Sequence, residues 1–270
     1  MSDIFSYSKI NTFSNCRELY HINYIQQIRK KNDNIESYLG SCVHYVIEYI
    51  YENKLDTITL DEIVYIYNEH WKERWHDNIY MPDRSKNPEQ YFDLGVECLR
   101  LFFKKNIHNK PNFLKDVVGC ELELSFEDND NNIYRGIIDR LDFDKDKNQY
   151  VINDYKTSKR IISAKKAQTD LQLGLYLIAV QEKYNTNQPI TLKWHFLRYG
   201  IEISVTPDNN DIDLIKRQLN RKTEEIKKLS NERDNFFPNE TPLCNWCHYW
   251  EECTAKTTSN PAKRITNANY

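Results

Sequence analysis

Asp154 and Lys156 close a short apolar run, Tyr150-Val151-Ile152-Asn153-Asp154-Tyr155-Lys156. In an extended strand alternate residues share a face, so this spacing brings a carboxylate and an amine into one site. A second acid, Asp139, lies upstream in Arg135-Gly136-Ile137-Ile138-Asp139-Arg140-Leu141-Asp142, where the isoleucines predict a buried strand that nonetheless carries a charge. Two acids in facing strands repel unless a cation sits between them. Oxygen ligands of this kind suit Mg2+ or Mn2+, which polarise a phosphate, lower the pKa of a bound water and steady a leaving oxygen. Lys156 would then orient that water or neutralise charge developing at phosphorus. Read alone, an Asp-x-Lys tripeptide is common and far more often marks a surface hairpin with incidental acids.

Other polar residues share faces of the predicted elements. Gly40, His44 and Glu48 recur at four-residue steps, which places them on one helix face, where His44 read alone is an ordinary helix residue. Glu121 and Glu123 share the polar face of an alternating strand. Gln172 and Tyr176 are again four apart on a helix; a core position disfavours Gln172, whereas Tyr176 reads equally as a core aromatic. Lys156, Lys159, Arg160, Lys165 and Lys166 form a basic cluster beside the strand end, which suits phosphate contacts or a solvated charge run.

The seven cysteines fall into two groups. Cys42, Cys98 and Cys120 are embedded in apolar patterns as small hydrophobes. Cys244, Cys247 and Cys253 are packed into one short segment with the spacing C-x2-C-x5-C, three thiolates close enough to hold one metal centre with one position left vacant.

The elements that must position these groups can be outlined from periodicity. Met1 to about Lys115 reads as mainly helical, with three- and four-residue apolar steps at Cys42-Val43-Val46-Ile47-Ile50 and from Tyr91 to Phe103, and a loop from Met81-Pro82 to Asn87-Pro88. The period changes to two at Val118, Cys120, Leu122, Leu124 and Phe126, and turn-rich segments at 128–132 and 144–148 then separate two more strands in a three-stranded meander. Ala164 to Tyr184 is predicted as a helix, Thr191 to Thr206 as two strands about Tyr199-Gly200, and Asp211 to Asn231 as a surface helix with one buried stripe.

The chain has 270 residues, 40% of them hydrophobic and 29% charged, which is enough for one elaborated domain and excludes wholesale disorder. A formal net charge of −3 means that binding to nucleic acid must come from a local basic patch. No run of apolar residues is long enough to span a membrane and the first residues lack a secretory pattern, so the expected location is cytoplasmic, with no membrane partner. Neither a Walker-type phosphate loop nor a Gly-rich dinucleotide signature occurs, which speaks against a built-in motor and against an iron–sulfur redox enzyme.

Gly136-x-x-Asp139 followed by Asp154-Tyr155-Lys156-Thr157-Ser158 resembles the core of the PD-(D/E)XK nucleases, and in particular the RecB and AddB nuclease domains. Gly40-x-x-x-His44-x-x-x-Glu48 and Gln172-x-x-x-Tyr176 resemble two helical elements of the same subgroup, and Ser6 to Tyr20, with Cys16, resembles the N-terminal segment of its iron–sulfur members. The resemblance implies an α/β, restriction-endonuclease-like three-layer core, a mixed central sheet flanked by helices, with a helical N-terminal part. It implies one nuclease domain over 1–253 (helical segment 1–115, catalytic core 116–206, helix and cysteine clamp 207–253) and a flexible tail at 254–270. Asp139, Asp154 and His44 are then metal ligands, Lys156 catalytic, Glu121 a supporting acid, and Gln172 and Tyr176 border the site.

Cys16 becomes the fourth ligand to Cys244, Cys247 and Cys253, holding a [4Fe–4S] cluster of structural role, with Zn2+ as the alternative. Arg17 stands where the family usually has proline. The implied activity is metal-dependent DNA exonuclease action in recombination, repair, phage or CRISPR-related processing, with single- or double-stranded DNA ends as substrate and a separate helicase or recombination subunit as a further partner. The rival is a catalytically silent DNA-binding or scaffold subunit.

Overall fold

The computed structural model describes residues 4–31, 33–81, 83, 85–230, 236–255 and 263–264. It begins with a two-residue strand, β1 (Ile4–Phe5), and helix α1 (Tyr7–Asn15), whose N-terminus Ser6 caps by accepting from the Lys9 N–H at 3.2 Å. A short α2 (Arg17–Tyr20) runs into a π-helical turn at His21–Ile25. After β2 (Asp33–Asn34) come α3 (Ile35–Glu52), α4 (Leu60–Arg74), β3 (Ile79–Met81) and α5 (Pro88–Asn106). Asn34 caps α3, and reciprocal capping boxes at Thr59/Glu62 and Asn87/Gln90, the latter with Pro88 in the first turn, fix where α4 and α5 start. The expected three- and four-residue steps bury Cys42, Val43, Val46, Ile47 and Ile50 of α3 against Tyr67 and Trp71 of α4 and Tyr91, Leu99 and Phe102 of α5.

The predicted meander is β4 (Val117–Glu127), β5 (Ile133–Asp144) and β6 (Gln149–Lys156), antiparallel throughout. Helices α6 (Ala164–Ala167) and α7 (Leu171–Tyr184) carry the chain over to β7 (Ile190–Phe196), parallel to β6, and β8 (Ile201–Val205) returns antiparallel past Gly200, whose φ of +60° makes the turn. The amphipathic α8 (Asn209–Ser230) buries Ile212, Ile215, Leu219 and Ile226. The six-stranded mixed sheet, with β1 added parallel to the start of β5, has α7 and α8 packed on one face and α3 with α5 on the other. That is the expected three-layer architecture. No helix of the described residues is long and apolar enough to cross a membrane.

Three details depart from the periodicity. The single helix expected from Ala164 to Tyr184 is broken at 168–170, because the Asp170 carboxylate accepts from Leu173 N–H at 3.0 Å and restarts the helix. Val118 leaves the apolar face of its strand and is 44% exposed, because a register shift against β5 falls between Val117 and Gly119. A small second sheet, β2–β3–β9, was not foreseen; β9 (Lys263–Arg264) pairs with Tyr80 and Met81 although it falls in the expected tail, most of which (256–262 and 265–270) lies outside the described residues. Pro82 and Arg84 of the expected loop lie outside them as well.

The sheet opens where the chemistry was expected. β5 carries β1 beside Ile133 and Tyr134, and β6 only from Arg140 onward, so among the described residues 135–139 have no strand on that edge. Ile138 and Leu141, three apart, both pack in the core under α7, while Arg140 turns to the opposite face over Tyr51. The two-residue alternation therefore slips once at Asp139–Arg140.

Candidate active site

The main chain of Tyr155 holds two side chains from different elements. Its N–H donates to Asp139 Oδ2 at 2.7 Å, across the opening left where β5 and β6 part, and its carbonyl accepts from His44 Nε2 of α3 at 2.7 Å. A carbonyl only accepts, so Nε2 donates, and Nδ1 stands 3.6 Å from Asp139 Oδ2. Glu121 completes the group: ligand atoms of His44, Glu121 and Asp139 all lie within 4.8 Å of one another.

Strand β4 brings Glu121 there by a local rotation. Glu121 has φ +42°, an uncommon conformation for a side-chain-bearing residue, and Cys120 and Leu122 on either side pack in opposite cores. Glu123, the competing acid, instead forms an exposed ion pair with Arg135. Burial, then the charges of Asp139 and Glu48, raise the Glu121 carboxyl to about 7. Glu48 is also raised, chiefly by burial and by Glu52. Acids that burial and mutual repulsion push upward, set beside an imidazole nitrogen, are a donor set that a divalent cation with oxygen and nitrogen ligands fits.

Asp154 lies outside that trio. It is 2% exposed, and its two oxygens stand 2.9 and 2.8 Å from Lys156 Nζ. Burial raises its pKa against the pull of Lys156, and the charge of Asp139 adds to the rise. Lys156 donates further to Gln172 Oε1 at 3.0 Å, and Gln172 Nε2 donates to the Tyr176 hydroxyl at 3.2 Å. Burial disfavours the ammonium, but Asp154 and Asp139 outweigh it and lift the Lys156 pKa. The sequence-predicted His44, Glu121, Asp139, Asp154, Lys156, Gln172 and Tyr176 thus converge on the fork of the sheet.

Two neighbours escaped the sequence reading. Tyr7 of α1 has its phenol raised by burial and by Asp170, and Asp170 is raised by burial while Lys156 pulls it back. The Asp-x-x-Leu capping signal was there to place Asp170, but the continuous helix expected across it hid the cap. Behind Tyr155 runs a buried polar network: Arg140 donates to the Tyr155 hydroxyl (2.7 Å) and to Asp142 (2.9 Å), Asp142 accepts from Asn153 (2.9 Å), and His195 lies between Asn153 Oδ1 (2.9 Å) and Glu202 (3.1 Å). These bonds fix the strand whose main chain orients His44 and Asp139.

The Tyr176–Gln172–Lys156 chain depends on close approach at Gly136. A Cβ there would meet Tyr176 Cε1 at 2.4 Å and Cδ1 at 2.6 Å. Gly136→Ala is expected to cost about 1–3 kcal/mol of stability through overpacking and to displace Tyr176; chemical denaturation of the variant beside the parent measures this, and an unchanged midpoint contradicts it.

The four remaining candidates gather beyond the C-terminal end of α1, the helix that starts with Tyr7. Cys16, Cys244, Cys247 and Cys253 line one cavity of about 220 Å³ together with Glu18, Trp246 and Trp250. Asn239 bridges two of them: its N–H donates to Cys16 Sγ at 3.4 Å and its carbonyl accepts from Cys244 Sγ at 3.9 Å. Burial raises Cys247 and Cys253, and Cys16 and Cys244 add to both. The basic cluster is exposed along 159–166, apart from the half-buried Lys156.

A solved structure of a protein from Eubacterium rectale, provisionally named an exonuclease, is 12% identical over 92% of this chain and 88% of its own, with a TM-score of 0.52, a likeness of fold. A second, SSO0001, is 16% identical over 90% of this chain and 96% of its own with a TM-score of 0.33, too low to carry an argument. No curated protein matches the sequence significantly. The model of the PD-(D/E)XK nuclease superfamily matches residues 4–254, from β1 in the sheet past the last of the four cysteines. This chain belongs to the PD-(D/E)XK nuclease superfamily.

Proposed function

We propose that the protein is a metal-dependent DNA exonuclease of the RecB/AddB-like type. The observation that carries this is the convergence of His44, Glu121 and Asp139 within 4.8 Å of one another beside the Asp154–Lys156 pair. His44, Glu121 and Asp139 would hold Mg2+ or Mn2+, with Asp154 as the next carboxylate. When bound, such an ion polarises the phosphate and supplies an activated water. Lys156, raised rather than lowered in pKa, stays an ammonium and serves as a fixed positive charge for the phosphorane rather than as a base. Gln172, steadied by Tyr176, holds that ammonium in place.

Cys16, Cys244, Cys247 and Cys253, which line one cavity of about 220 Å³, would hold a [4Fe–4S] cluster of structural role, with Zn2+ as the alternative. The polypeptide then acts as one nuclease domain over 1–253, working on DNA ends with a separate helicase or recombination subunit. Linear DNA and a covalently closed circle, incubated with Mn2+, test the end requirement. Loss of the linear form with the circle intact is expected; equal nicking of the circle contradicts an exonuclease.

A further inference from the structure

The segment leaving the catalytic strand is clamped by the β7–β8 turn, residue by residue. Leu197 N–H donates to the Lys156 carbonyl at 2.9 Å, Arg198 Nε donates to the Thr157 carbonyl, and the Tyr199 hydroxyl donates to the Lys159 carbonyl at 3.1 Å. Arg198 is itself locked by Glu36 of α3. Tyr199, although its hydroxyl is tied down, leaves 46% of its surface in solvent, and Ile161 beside the same segment leaves 39%. Around them Lys159, Arg160, Lys165 and Lys166 are exposed, and none forms an ion pair with a described residue. In a chain of net charge −3, this is a local concentration of cations that runs directly out of the site.

A pinned aromatic ring with an open surface, set among cations, suits a particular form of nucleic acid. Away from its two ends a duplex stacks its bases on each other and offers only their edges, so a surface ring gains little along it. Unpaired bases offer a π-face, and stacking combined with backbone charge contacts is how sequence-tolerant single-strand grooves work. We propose that Tyr199, with Lys159, Arg160, Lys165 and Lys166, forms a binding site for single-stranded DNA that leads the strand to Lys156. This rests on the nuclease reading for its direction, but the surface itself is defined by the clamp and the exposed ring. Tyr199 is thereby a substrate-selecting residue: it favours an unpaired strand over a duplex.

Fluorescence anisotropy tests this with the full-length protein in EDTA, where cleavage is stopped, using a labelled single-stranded oligonucleotide and a blunt duplex of the same composition. Tyr199→Ala is expected to weaken single-strand binding about tenfold, and duplex binding less than about twofold. Tyr199→Phe, which keeps the ring, is expected to restore most of the affinity. Replacing Lys165 and Lys166 by alanine is expected to weaken both ligands and flatten the salt dependence. Equal effects of Tyr199→Ala on both ligands, or none on either, overturn the proposal. Cleavage in Mn2+ without single-strand binding in EDTA also overturns it and leaves the nuclease standing; the expected binding pattern without cleavage in either metal supports the surface and removes the nuclease reading.

Discussion

Asp139→Asn is expected to lower the rate of phosphodiester cleavage by on the order of a thousandfold while leaving the metal-free fold intact. Asparagine has the size of aspartate, and its carbonyl oxygen can still accept the Tyr155 N–H that now goes to Asp139 Oδ2 at 2.7 Å. What is lost is a negative charge facing His44 Nδ1 at 3.6 Å and Glu121. After burial, that charge is what raises the Glu121 carboxyl, so its removal relieves a repulsion and thermal stability measured in EDTA should hold or rise slightly. Rates at limiting and saturating Mn2+, set beside thermal unfolding, separate the two effects. Retention of activity within tenfold would show that the metal is held elsewhere, and a large fall in the metal-free unfolding temperature would make Asp139 a structural residue.

The second large effect belongs to the cysteines. Cys247→Ser is expected to abolish cluster incorporation and to cost on the order of 4 kcal/mol, the scale of a cross-link that closes a long loop. The reason lies in what the cavity joins. Cys16 comes from the start of α2, and the other three from the segment that docks against it through Asn239, through Glu18 accepting from Thr254 N–H at 3.2 Å, and through Tyr249 donating to the Ile28 carbonyl at 3.2 Å. Lys30 also pairs with Glu251 at 3.1 Å and Glu252 at 2.8 Å, and Phe236 stacks on Tyr20, so the cluster would cross-link a segment that is already docked. Iron and sulfide analysis with thermal unfolding of protein prepared without oxygen measures the change. Full iron content and an unchanged unfolding temperature in the variant would refute the cluster.

Much of the site was legible because its elements are periodic. Asp154 and Lys156 end a strand with a continuous apolar run, His44 sits on a helix with a buried stripe, and Gln172 opens a helix that is buried all round from Leu173 to Val180. Glu121 was chosen over Glu123 by family likeness alone, since alternation gives both the same face and the rotation at φ +42° is a property of one backbone angle. Asp154, expected among the ligands, stands outside the His44–Glu121–Asp139 trio and pairs with the ammonium two residues away. The β1 and β9 strands, each two residues long, are too short to leave a period, and the Asp170 break needed the cap to outweigh a continuous run of helix formers. The local spacing of Cys244, Cys247 and Cys253 spoke for itself; Cys16, more than two hundred residues away, was placed only by family likeness.

The most direct measurement is a time course of end-labelled single- and double-stranded DNA with protein purified without oxygen, in Mg2+, Mn2+ or EDTA, with Lys156→Ala run beside the parent. The expected result is degradation in the presence of metal that stops in EDTA and in the variant. No cleavage by the parent in either metal, with the cluster intact and DNA still bound, or equal cleavage by parent and variant, would contradict a nuclease centred on Lys156.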